Sequence, residues 1–274
     1  MSLLTTKMSS HLIAYYIEKM ASMEFIEALF LKYGIRYRKS YNYKKCKEIF
    51  LKSGVGINDD DFTKMCREWW QPSPIDYHKQ NLSSGILSGH SWHKAMPSML
   101  HYSLQDKVRE CISRTGSIED LLNIAQDIMK HEYFMVATHD ICESLIIRDI
   151  PDTLPPSRKK SVSDFVFNSV PYDLKVSTYP DGWDKQPCQS NDDKIQLAQI
   201  LVGGADTLRV RQEAEGTLKG WGDNRFYIVV ANQDRWITET CILLDDIMQK
   251  VLTLGNPLKV SIGKESILVH IVEV

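Results

Sequence analysis

Three prolines, Pro151, Pro155 and Pro156, forbid a helix from running through this stretch of the chain, because proline lacks an amide hydrogen and its ring collides with the preceding turn. The periodicity changes at that point. Upstream, Ile13, Tyr16, Ile17 and Met20, then Phe25, Leu29 and Tyr33, recur at the three- and four-residue spacing of amphipathic helices, with Gly34 as the expected stop of this first helical block. A helix is predicted over 43–52, ended by Ser53-Gly54, and another over 59–70 with Asn58 as its N-cap. Residues 71–97, rich in Pro, Ser, Gly and His, read as an irregular connection. Helical spacing resumes over 105–113, 118–129 and 133–148. Downstream of the prolines, 164–168 and 172–178 are aromatic and β-branched, and the short link Ser169-Val170-Pro171 suits a β-hairpin. A helix is expected over 192–201 with a second segment around 207–218. A strand over 225–231, a helix over 238–252 and two strands over 258–262 and 266–273 complete the reading. The expected organisation is a mainly helical region over 1–130 and an α/β unit over 131–274.

Composition narrows the function classes. With 274 residues, 43% of them hydrophobic, the chain can bury a substantial core. Thirty-three basic against 35 acidic residues give a net charge of -2, so there is no global attraction to a polyanion, and any DNA surface has to be a local patch. The six cysteines contain no Cys-x-x-Cys pair, which argues against a zinc ribbon and a disulfide framework and points to a reducing cytoplasm. No apolar run approaches the ~20 residues of a membrane span, and the N-terminal segment lacks the unbroken apolar stretch of a signal peptide.

The hairpin is where the chemistry concentrates. Alternate strand residues share a face, so Asp173 and Lys175 project together while Tyr172, Leu174 and Val176 point the other way. With a turn centred near Val170, antiparallel pairing is expected to set Asp164 opposite Val176 and beside Lys175. Two carboxylates and an amine on one surface suit phosphodiester hydrolysis: hard oxygens hold Mg²⁺, and an ammonium stabilises the charge that develops. A third carboxylate is sought on the preceding helix, with Glu143 as first choice and Asp140, three residues earlier on roughly the same face, as the alternative.

Ser163-Asp164-Phe165-Val166-Phe167-Asn168 followed by Tyr172-Asp173-Leu174-Lys175-Val176 resembles the core of the PD-(D/E)xK nucleases, as found in type II restriction endonucleases. The resemblance covers about 100 residues and departs at its first position, where Ser163 replaces proline. It implies a restriction-endonuclease-like α/β core, a mixed central sheet flanked by helices. It further implies that Asp164 and Asp173 bind metal with Lys175 catalytic, that Mg²⁺ is the cofactor with Mn²⁺ as a substitute, and that double-stranded DNA is the substrate. A homodimer is the natural expectation for an enzyme that cuts both strands. A repair or recombination nuclease, or an inactive DNA-binding module of the same fold, stand as alternatives.

Other features carry weaker signals. Eight Lys or Arg against one acid lie between Lys32 and Lys52, so Arg36, Arg38 and Lys39 are candidate phosphate contacts, with Tyr33, Tyr37, Tyr41 and Tyr43 either stacking on nucleic acid or covering the core. Arg158, Lys159 and Lys160, just ahead of Asp164, either hold a flanking phosphate or form a charged linker. Residues 44–70 admit a helix-turn-helix reading, opposed by Asp59-Asp60-Asp61 where a recognition helix would meet DNA. His90-x-x-His93 has metal-site spacing without a supporting cysteine or carboxylate pair.

Overall fold

The computed structural model describes residues 8–73, 75–76, 79, 137–159, 161–214, 224–262 and 265–274. The rest of the 71–97 connection with His90 and His93, the helices expected over 105–113 and 118–129, the start of the 133–148 helix and Lys160 lie outside the described residues.

The N-terminal region is helical. The single block expected up to Gly34 is two helices, α1 (Ser10–Lys19) and α2 (Met23–Lys32), because the Ser22 side chain accepts the Phe25 N–H at 3.1 Å and starts a new helix. α3 (Tyr43–Ser53) ends at Gly54, whose φ of +65° is the left-handed conformation that glycine adopts without strain. α4 (Asp59–Trp69) begins as expected at Asn58, whose Oδ1 accepts the Asp60 and Asp61 N–H groups. The three aspartates therefore sit where the helix dipole favours negative charge. Tyr16, Phe25 and Phe62 meet at centroid distances of 5.2 to 6.0 Å in the core of this region. The tyrosines at 33, 37, 41 and 43 are partly buried against that core, so each contributes to packing there.

Among the described residues the chain from Thr153 onward forms a six-stranded mixed sheet: β1 (Thr153–Leu154), β2 (Phe165–Phe167), β3 (Val170–Thr178), β4 (Asn224–Val230), β5 (Leu258–Ile262) and β6 (Glu265–Glu273). The spatial order is β1-β2-β3-β4-β6-β5, with β3, β4 and β6 parallel and the outer pairs antiparallel. The helices are α5 (137–149), α6 (Asn191–Ala214) and α7 (Gln233–Leu252). The fold is thus α/β with a mixed sheet, as expected. Two helices differ from the reading. α6 runs unbroken through Gly203-Gly204, and α7 starts at Gln233, ahead of a non-helical Glu239 that masks its first turns in the periodicity. β1, two residues inside the proline segment, is too short to show any periodicity.

The hairpin register corrects the sequence reading. The turn is Asn168-Ser169, both at positive φ (48° and 67°), so Val170 and Pro171 belong to the strand. Phe165 pairs with Tyr172, and the Asp164 N–H donates to the Tyr172 carbonyl at 2.9 Å. Asp164 therefore lies beside Asp173 and not opposite Val176. A two-residue turn with both residues left-handed matches the twist of the strands it joins, and Asn tolerates that conformation better than most residues.

The two faces of the sheet are covered differently. On one, Phe165, Tyr172, Leu174, Phe226 and Ile228 are buried with residues of α5 and α7. On the other, Leu154 and Val166 join the core of the N-terminal helices, while Tyr227, Val229, Val269 and Ile271 are buried with Leu197, Ala198 and Val202 of α6. Asp173 and Lys175 lie on this second face, on the strand between those two covered patches. Among the described residues no helix is long and apolar enough to cross a membrane.

Candidate active site

Three elements converge on the start of the hairpin. α5 buries Ala137, Ile141, Cys142, Leu145 and Ile146 in the core, which fixes the direction of its other side. That side carries His139, Asp140 and Glu143. His139 Nε2 lies 3.5 Å from Asp164 Oδ2, its Nδ1 lies 3.3 Å from Asp140 Oδ1, and the same nitrogen lies 3.8 Å from Glu143 Oε2. One ligand atom from each of His139, Glu143 and Asp164 falls within 4.8 Å of the others.

β2 and β3 supply the remainder. Asp164 Oδ2 accepts the Leu174 N–H at 2.7 Å, which ties the first acid to the strand that carries the second. Asp173 Oδ2 receives Lys175 Nζ at 2.7 Å and Arg225 Nη1 at 3.2 Å. Arg225 stands directly across from Asp173 in the parallel β3–β4 register. The Lys175 side chain keeps 47% exposure, whereas that of Arg225 keeps 12%, so the lysine faces solvent and the arginine is built into the sheet.

The electrostatics follow from this crowding. Burial, reinforced by the charges of Asp164, Asp140 and Asp173 and only partly offset by His139, pushes the Glu143 carboxyl up to about 8. Burial works against a charged His139, yet the bonds to Asp140 and Asp164 and the charges of Asp164 and Glu143 prevail and raise it to about 10. Asp164 is raised by burial but lowered on balance by His139, Lys175 and the Leu174 N–H. Asp173 is raised, burial and Asp164 outweighing Lys175 and Arg225. Four carboxylates, those of Asp140, Glu143, Asp164 and Asp173, thus crowd around His139, Lys175 and Arg225, and the mutual repulsion of the acids contributes to the raised values of Glu143 and Asp173. A donor set of carboxylate oxygens and one imidazole nitrogen fits a divalent cation.

Each expected residue except Lys160, which lies outside the described residues, has a definite place. Asp164 and Glu143 come together, and Asp173 and Lys175 meet beside them. Asp140 contacts His139. Arg36, Arg38 and Lys39 are exposed on the loop between α2 and α3. Lys159 is exposed. Arg158, expected to meet a flanking phosphate, is instead committed to structure: its guanidinium donates to the Glu18 and Lys19 carbonyls at the end of α1 and lies 4.5 Å from the Tyr43 ring centre. The helix end needed a cation more than the linker did. His139 and Arg225 were not foreseen. The His139-x-x-x-Glu143 spacing was a readable signal, since residues four apart share a helix face. Arg225 gave none, because only the parallel register brings it to Asp173.

No family model, curated protein or solved structure matches this chain.

Proposed function

We propose that this chain is a metal-dependent phosphodiesterase. More narrowly, we read it as a PD-(D/E)xK endonuclease that hydrolyses double-stranded DNA, of the type II restriction kind. The observation that carries the proposal is the adjacency of Asp164 and Asp173 on the hairpin, with Lys175 Nζ 2.7 Å from Asp173 and Glu143 facing Asp164 from the preceding helix. Asp164, Glu143 and Asp173 would hold the cation, Mg²⁺ or Mn²⁺. When bound it supplies Lewis-acid polarisation of the phosphodiester and acidifies the attacking water. Arg225 fixes the Asp173 carboxylate against the sheet, which limits its loss of freedom on binding. Lys175, half in solvent and free to swing from Asp173, reaches the phosphate oxygens and stabilises their growing charge. Arg36, Arg38 and Lys39 offer exposed positive charge to the DNA backbone. Cutting both strands is met most simply by a two-fold homodimer working in the cytoplasm.

The test is nicking of supercoiled plasmid with Mg²⁺ or Mn²⁺ by the wild-type chain, Asp173→Ala and Lys175→Ala. Each substitution is expected to cost about 10²–10³-fold in rate with the far-ultraviolet circular dichroism unchanged. Full-rate cleavage by Asp173→Ala would overturn the assignment. Discrete fragments from linear duplex support a restriction enzyme. Cleavage confined to branched or damaged DNA makes it a repair nuclease, and intact plasmid with a retained gel shift makes it a binding module.

A further inference from the structure

We propose that His139 Nε2 is itself a ligand of the cation held by Asp164 and Glu143, so that the site selects a transition ion such as Mn²⁺ over Mg²⁺. This rests on the metal-site reading above and adds to it the identity of the ion. Three observations carry it. The first is distance. Metal–ligand bonds of about 2.1 Å place neighbouring ligand atoms about 3 Å apart and opposite ones about 4.2 Å apart, so a group lying within 4.8 Å closes on one ion with small shifts. The second is support. His139 stands on α5 between the buried Ala137 and Ile141, four residues before Glu143, so the imidazole is presented by a rigid element. The third is the partner of the other ring nitrogen. Nδ1 lies 3.3 Å from Asp140 Oδ1 while Nε2 faces Asp164. Metal-bound histidines characteristically give their second nitrogen to a carboxylate, which sets the tautomer and strengthens the ligand.

That arrangement divides the labour between the two helix acids. Glu143 ligates, and Asp140 orients the histidine. Coordination requires Nε2 to give its proton to water and its lone pair to the ion, with Nδ1–H remaining on Asp140. Mg²⁺ favours an all-oxygen shell and keeps its waters, whereas Mn²⁺ and the later first-row ions accept imidazole.

The experiment uses the full chain with Mn²⁺ alone and no DNA. Pulsed electron paramagnetic resonance reads ¹⁴N coupling to the ion, and calorimetry compares Mn²⁺ with Mg²⁺ in the wild type and in His139→Gln. We expect nitrogen coupling in the wild type and its loss in His139→Gln. Mn²⁺ affinity should fall about ten-fold or more, and Mg²⁺ affinity by much less. Bound Mn²⁺ without nitrogen coupling in the wild type overturns the inference, and that spectrum decides the matter even if the variant does not fold. A rise in affinity for both ions in His139→Gln also overturns it, because His139 would then be a resident counter-charge that the cation displaces. If coupling is absent but the wild type still nicks plasmid in Mg²⁺, only this inference fails. If Mn²⁺ and Mg²⁺ do not bind and plasmid stays intact, the phosphodiesterase reading fails with it.

Discussion

Cation binding at this site should release protons in a countable way. At pH 7 a carboxyl titrating at about 8 is about nine-tenths protonated, and an imidazole titrating at about 10 is almost wholly so. A cation takes both groups only in their unprotonated forms. Binding of one Mn²⁺ should therefore expel about two protons at pH 7, approach one above pH 8 as Glu143 ionises by itself, and vanish beyond pH 10. The sign follows: apparent affinity weakens as pH falls, by up to about 100-fold per unit where both protons must leave. Titration calorimetry at fixed pH in buffers of different ionisation enthalpy gives the count directly. A value near one at pH 7 would leave His139 protonated and outside the coordination sphere. Mn²⁺ binding with no proton release at pH 7 would refute the reasoning, because it would mean that neither Glu143 nor His139 meets the ion.

Three further outcomes concern the scaffold. His270 is 5% exposed among Phe167, Tyr172 and Phe226, with ring centres 5.3 to 5.7 Å away, and burial holds its imidazole down at about 4. Its folded value lies below its unfolded one, so the unfolded chain takes up the proton first as pH falls. About 3 kcal/mol of stability should be lost between pH 6.5 and 4, as read from urea midpoints, and His270→Phe should flatten that slope. Ser169→Gly should raise stability by about 0.5–1 kcal/mol in the same denaturation assay, since a φ of 67° strains serine and not glycine. Asn58→Ala should lower stability by about 1 kcal/mol, measured likewise, by leaving the Asp60 and Asp61 N–H groups without the cap oxygen.

Much of the fold is legible in local signals, and the reason is that those signals act within a few residues. Asn58 caps α4 and Gly54 stops α3 through their own side chains or backbone freedom, so the sequence announces them. The same holds for the strand alternation that puts Asp173 and Lys175 on one face, since a two-residue period needs no tertiary partner. What long-range pairing decides could not be read this way. Whether the turn is Asn168-Ser169 or a link centred on Val170 shifts the neighbour of Asp164 from Val176 to Asp173, and only the ladder settles that register. Arg225 reaches Asp173 through a parallel pairing with a strand 52 residues further along the chain, with helix α6 in the intervening sequence. Arg158 looked like a free cation in the linker, yet the carbonyl ends of α1, some 140 positions earlier, claim it. Local chemistry named the acids and the lysine. Tertiary structure chose their neighbours, because charges and unpaired backbone groups are satisfied by whatever the fold brings within reach, and sequence distance does not measure that.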